Sequence, residues 1–243
     1  MTLKPYTIIA GVGEGTGAAV ARRFAKQYPV VLIARSEGFV NTLVKEIEAA
    51  GGSVMGFKAN VGDEADLSKT IWEIEQQFGS RCAVAVFNAS SRPFPKPFIW
   101  QSQSDIDYAL NVSLNGAFLF AKAVLPLLLS ATGNEFVPTL IFTGATAAVK
   151  ANAWMQPFAV SKHSLRALAL ALADEFAPQG VHVAHAIIDG VIRMPLTWML
   201  KPFSSAHAKL DPNAIADSYW HIHQQPLAHM TKEMTLRPFC ESW

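Results

Sequence analysis

Four glycines and a lysine carry most of the chemistry open to this sequence. Gly11, Gly13, Gly15 and Gly17 stand in the run IIAGVGEGTGAAVARRFA, after an apolar stretch and before an amphipathic one. A strand, a glycine-rich turn and a helix N-terminus in that order cradle a pyrophosphate, because backbone N–H groups and the helix dipole face the anion. The glycine spacing alone is a weak signal, and the flanking elements make it a strong one. The second apolar run, VVLIARSEG, ends in Arg35. An acidic residue there would take both ribose hydroxyls of NAD(H), whereas an arginine offers a cation to a 2′-phosphate, so NADP(H) is favoured. A solvated arginine at a strand end is as common in general; the glycine loop upstream favours the cofactor. Lys162 ends the run QPFAVSK, one helical turn after Phe158 and on the same helix face.

These residues need a scaffold that brings strand ends together. Strand-like runs fall at 6–10, 30–34, 53–58, 83–88, 139–143, 181–188 and 234–236, and amphipathic stretches lie between them at 15–26, 38–50, 64–78, 105–130 and 154–176. Strands alternating with helices give βαβ units, and right-handed crossovers stack those into a parallel sheet covered on both faces. The expected architecture is α/β: one Rossmann-like, doubly wound sheet of about seven strands over residues 1–243. Residues 194–210 break the rhythm with two prolines and several aromatics, and Asp211-Pro212 then reads as an N-cap and first helical position. An insertion at a sheet's carboxyl edge is where a substrate lid would sit, at about 191–225.

Composition narrows the class. At 243 residues with 51% hydrophobic and 16% charged positions, the chain can bury a large core as one domain. A net charge of +1 with both signs interspersed argues against nucleic acid or an anionic membrane as partner. Cys82 and Cys240 lie far apart, so neither a disulfide framework nor a metal site is expected. The N-terminus lacks a signal-peptide pattern, and the apolar stretch at 116–131 is too short for a bilayer and contains Lys122 and Pro126. The sequons at Asn88 and Asn111 are chance matches on this reading, which is of a soluble, cytoplasmic protein.

Taken in order, Gly11, Gly15 and Gly17, then FNAS at 87–90, NVSLNGAF at 111–118, FAVSK at 158–162 and IIDGVI at 187–192 resemble the short-chain dehydrogenase/reductase family over nearly the whole chain. The resemblance implies a seven-stranded doubly wound sheet, NAD(P) binding, and assembly as a homodimer or homotetramer through long helices such as those at 105–130 and 154–176. It implies that Asn60-Val61 touches the adenine, although the family usually has Asp-Val there. It implies that Asn88-Ala89 supports the central sheet beside the adenine ribose, with Ser90 in place of a glycine. Asn111 would hold a water near the catalytic lysine, and Lys162 would bind the nicotinamide ribose. Gly190 and Ile192 would lie beside the carboxamide, with Asp189 standing where the family usually has proline.

The departures sit on the catalytic edge. The family's tyrosine, which gives the proton to the developing alkoxide, is Phe158, and its serine falls at Gly144 or Ala145. An atypical subgroup with Phe in place of the tyrosine exists, and this sequence resembles its members. Loss of a general acid typically lowers rate ~10²–10⁴-fold. Asp189, Thr143, Thr146 and Lys162 are the candidate replacements. Against a catalytic role, Asp189 could cap a turn, the threonines could be structural, and the lysine could serve the ribose alone. An activated carbonyl, enone or iminium would need little or no acid. The expected function is therefore NADP(H)-dependent reduction of a small hydrophobic substrate at an altered site. Non-redox cyclisation or isomerisation, or a catalytically silent subunit, is the alternative. His182, His185, His221 and His223 read as non-ligating, because neither pair shares a face. Trp198, Tyr219 and Trp220 could line a hydrophobic pocket or simply pack.

Overall fold

A computed structural model describes residues 4–197 and 206–240. Seven strands form one parallel sheet: β1 (Tyr6–Ala10), β2 (Val30–Ala34), β3 (Val54–Lys58), β4 (Cys82–Phe87), β5 (Thr139–Thr143), β6 (His182–Ile188) and β7 (Glu233–Leu236). Their order across the sheet is β3-β2-β1-β4-β5-β6-β7. The direction of winding reverses between β1 and β4, which opens a crevice at their carboxyl ends. β1, β2, β4 and β5 are buried at every position, as strands covered on both faces must be.

The helices divide between the two faces. α1 (Thr16–Phe24), α2 (Glu37–Ala49) and α7 (Pro212–His223) share one core with Ile9, Leu32 and Ile141. α3 (Glu64–Phe78), α5 (Gly116–Leu129) and α6 (Gln156–Phe176) share the other with Ile8, Phe87 and Phe142. α3 starts where Asp63 accepts a hydrogen bond from the Asp66 N–H, satisfying one of the free donors of the first turn. The run expected as one helix at 105–130 is broken: α4 (Gln103–Leu110) and α5 are joined by a π-helical turn, Asn111–Asn115.

α7 begins as expected at Asp211, whose side chain accepts from Asn213 N–H. It packs on α1 through Ile215, Ala216 and Tyr219, and so belongs to the framework. Of the expected lid, residues 198–205 lie outside the described residues, and the described Ile192 and Leu210 pack against the core beside α7. The two ends of the segment before α7 are joined: Leu210 N–H donates to Val191 O at 2.9 Å and Arg193 N–H to Leu210 O at 2.8 Å.

The β1–β4 junction is the tightest contact in the framework. Gly11 has φ +89°, and a Cβ there would sit 2.2 Å from Ala89 N. The Asn88 side chain closes the junction, donating from Nδ2 to Gly11 O at 2.7 Å. Gly11→Ala would force both a disfavoured φ and a clash against backbone, and is expected to destabilise the fold by at least about 2 kcal/mol. Gly13→Ala, with nothing within 4 Å of its added carbon, should leave the thermal midpoint unchanged. Thermal unfolding of the two variants checks this; equal midpoints would show that the junction tolerates separation.

Candidate active site

The crevice is built first from the glycine turn. Gly17 packs against the backbone of the strand end, a Cβ there falling 2.9 Å from Gly11 O, so helix α1 starts hard against the sheet. α1 has no side-chain cap and no acidic residue in its first turn. Ala18 N–H is taken by Gly13 O at 3.1 Å, which leaves the earlier donors of the turn without a side-chain cap. Thr16 is buried with its hydroxyl unpartnered, and Gly13 faces open space. Donors, dipole and room together fit a pyrophosphate. Met194 and Ile192 close one side of this turn, with Met194 Sδ 3.2 Å from where a Cβ of Gly15 would stand.

Arg35 lies exposed just beyond β2 and has no ion-pair partner among the described residues. Glu14, in the glycine turn itself, is exposed too, a negative charge that sequence reading passed over. Asn60 is exposed; its Oδ1 accepts from Gly62 N–H at 3.2 Å, which leaves one lone pair and the amide nitrogen for a ligand. Val61 is buried against Gly116. Gly190 lies under Pro238, 2.8 Å from a Cβ placed on it, and Ile192 bridges to Leu210.

On the far side of the crevice stands Lys162. It is 2% exposed, and its Nζ donates to Thr143 O at 3.0 Å. Burial alone pulls its pKa from 10.5 down to about 8, because no anion sits beside it. Phe158 is half-buried, and its ring centroid lies 6.0 Å from Nζ. Asp189 is 2% exposed; its Oδ1 accepts from the Thr146 hydroxyl at 2.7 Å, and its Oδ2 lies 3.5 Å from Arg237 Nε. The carboxylate is thus tied to side chains on two other segments and does not cap its own turn.

Three sequence expectations need correction. Asn111 does not join the site: its side chain is exposed, accepts from Asn115 Nδ2 at 2.9 Å and packs on Gly62. The π turn that begins at Asn111 changes which residues face the sheet. Inside it Ser113 is buried and accepts from Ser91 N–H at 3.2 Å. The Thr143 hydroxyl also points away from Lys162, to Tyr219 Oη at 2.9 Å on the opposite sheet face. Only its carbonyl serves the lysine. Of the two serine positions, Gly144 is closed, because a Cβ there would meet His185 Nε2 at 2.3 Å. Ala145, half-buried, remains.

The aromatic expectations divide as well. Tyr219 is fully buried, and Trp220 packs edge-on to Phe24 at 5.3 Å with Arg23 above it. Both are packing residues; Trp198 lies outside the described residues. A different apolar group rims the site: Phe94, Phe98, Ile99, Trp100 and Trp154 are all exposed. The loops that carry them are tied where Lys96 N–H donates to Trp154 O at 3.0 Å. Trp154 has φ +68°, a conformation that costs energy for a bulky residue. The amphipathic stretch expected from 154 starts as a helix only at Gln156, which leaves Trp154 in the loop before it.

The sequence matches the family described as short chain dehydrogenase over residues 6–204. A 2,5-dichloro-2,5-cyclohexadiene-1,4-diol dehydrogenase of Sphingobium indicum is 28% identical over 196 residues, covering 80% of this chain and 76% of that one. A solved short-chain dehydrogenase from Rhodopseudomonas palustris is 27% identical with a TM-score of 0.79, covering 96% of this chain and 99% of that chain. An alcohol dehydrogenase from the archaeon Thermococcus sibiricus, solved with 5-hydroxy-NADP, has the same fold at a TM-score of 0.84 and 20% identity, covering 98% of each chain.

The buried ammonium leaves a signature in stability. The folded pKa of Lys162 lies below that of the unfolded chain, about 8 against 10.5. Between those values the unfolded chain binds the extra proton, so stability rises with pH across that window, and below pH 8 the full desolvation penalty stands. Lys162→Met should abolish that rise and stabilise the protein at neutral pH by up to roughly 3 kcal/mol. Denaturant unfolding from pH 7 to 11 measures both; a variant that is less stable at pH 7 would show that Lys162 has a compensating partner in the fold.

Proposed function

The chain belongs to the short-chain dehydrogenase family, and from that premise we propose that it is an NADP(H)-dependent oxidoreductase of the atypical branch with Phe in place of the catalytic tyrosine. Its substrate is a small hydrophobic molecule with an activated carbonyl, enone or iminium group. The observation that carries this reading is the pairing of an intact, buried Lys162 with a Phe158 that has no oxygen to titrate.

The cofactor half rests on the uncapped, acid-free start of α1, the unpartnered Thr16 hydroxyl and the room beside Gly13. Arg35, exposed at the end of β2, supplies the cation for a 2′-phosphate. Lys162 holds the ribose of the nicotinamide, and Gly190 and Ile192 border its carboxamide. When bound, the reduced nicotinamide supplies a hydride.

The acid half is thin. Thr143 is turned away, Thr146 is committed to Asp189, and Asp189 is paired with Arg237. Lys162 is the ionisable group that remains, with a pKa of about 8 close to working pH. A cationic imine reduced to a neutral amine asks for no proton at the moment of transfer, and an activated enone asks for one only later. The aromatic rim favours an apolar substrate. The groove of about 480 Å³ lined by Leu110, Asn111, Leu114, Phe118 and Leu168 suits the homodimer or tetramer contact that the family's helices make.

Two measurements test the halves separately. NADPH should bind more tightly than NADH, and Arg35→Ala should erase most of the difference; equal affinities in the unaltered protein would remove the case for NADP(H). Phe158→Tyr combined with Ala145→Ser should raise reduction of simple ketones by at least about 10²-fold, whereas Phe158→Tyr with Gly144→Ser should not, since Gly144 has no space. No gain in the first pair would place the loss of ketone chemistry in the substrate pocket.

A further inference from the structure

Behind Lys162 a polar chain runs from a buried histidine to a partly exposed ion pair, and the proposed function leaves it without a task. His185 of β6 is fully buried between a carboxylate and a bare glycine. Its Nδ1 lies 3.0 Å from Glu233 Oε2, and Arg166 of α6 grips Glu233 through two bonds of 2.6 and 2.8 Å. A carboxylate at Nδ1 draws the ring proton to that nitrogen, which leaves a lone pair on Nε2. Nε2 has no hydrogen-bond partner among the described residues. It is aimed at Gly144, only 2.3 Å from where a Cβ would stand.

The Lys162 ammonium reaches the same peptide unit from α6, through its bond to Thr143 O. Phe142 and His185 are register partners on the α6 side of the sheet, so imidazole and ammonium share that face. A buried cation with N–H bonds to spare and a buried acceptor without a donor thus flank one peptide. A side chain at Gly144 would come between them.

The charged groups around His185 are Glu233 from β7 and Lys162 and Arg166 from α6. Burial, the largest influence, and the two cations outweigh the carboxylate and hold the imidazole below its ordinary pKa, hence neutral at pH 7. Just past the end of β6, Asp189 is already engaged by Thr146 and Arg237.

We propose that His185 is the positioning partner of Lys162: with Nδ1–H held by Glu233, its Nε2 accepts from one water that in turn accepts an ammonium N–H, and this link keeps Lys162 in its charged form. The proposal deepens the function above and rests on its reading of Lys162 as the remaining acid. It also gives a reason for a glycine at 144, where any side chain would evict the imidazole.

The test uses the full chain without cofactor or substrate. Lysines labelled with ¹³C at Cε are titrated by NMR, with Lys162→Met assigning the signal, which should show a midpoint near 8. His185→Leu removes the acceptor and should lower the Lys162 midpoint by roughly one unit. His185→Gln returns an acceptor oxygen and should restore most of that shift. Equal midpoints in the unaltered, Leu and Gln proteins overturn the proposal, since a purely structural histidine would give that result. If the Leu variant fails to fold, ¹⁵N spectra of the unaltered protein decide at neutral pH. A protonated Nδ1 with a bare Nε2 supports the proposal, and a protonated Nε2 overturns it. Absence of NADPH-dependent turnover with every acceptor would remove the proposed function and leave this coupling in place.

Discussion

An ammonium held out of water without a counterion is the constraint around which the catalytic edge is organised. Among the described residues Lys162 donates to the carbonyl of Thr143, and burial pulls its pKa down to about 8. Such a group destabilises the fold for as long as it stays charged. Nothing in the packing of α6 requires a lysine there. On the proposed function, the lysine is there as a ligand-binding and proton-bearing group. Phe158 keeps the ring that covers the ammonium and excludes water, so the low-dielectric setting survives the loss of the oxygen.

The scaffold separates the two sides of the crevice. Phosphate binding depends on backbone: the close approach of Gly11 to Ala89, the Asn88 bond that fixes it and the uncapped start of α1. Those features belong to the β1–β4 junction, which sits deep in both cores. Thr146 and Asp189 lie just past the ends of β5 and β6, and Lys162 near the start of α6, where single side chains can be exchanged without moving a strand. His185, buried and neutral, and the partly exposed pair Glu233–Arg166 form a polar chain on that side, with Nε2 unpartnered among the described residues.

Much of the fold was legible in the sequence, because period and strand composition are properties of the local chain. All seven strands and the alternation of helices were expected, and α3 was expected over Glu64–Phe78, where it lies. The π turn at Asn111–Asn115 was not legible. An apolar run reads the same whether or not one turn is wound wider, yet the wider turn carried Asn111 to the surface. Thr143 failed by parity: strand alternation put its hydroxyl on the face opposite Lys162. His185 looked like one of several unremarkable histidines, since its meaning depends on Gly144 and Glu233, distant in sequence. The aromatic rim was missed for the same reason, being assembled from two loops that meet only in the folded chain.

The most direct measurement of the central claim, hydride transfer without a phenolic acid, is a competition. A cyclic iminium and the ketone of the same shape are offered together with NADPH carrying deuterium at its transferable position. The account predicts deuterium in the amine product at a rate at least about 10²-fold above that in the alcohol. Deuterium entering the alcohol at a comparable rate, or substrate conversion without any transfer of label, would contradict it.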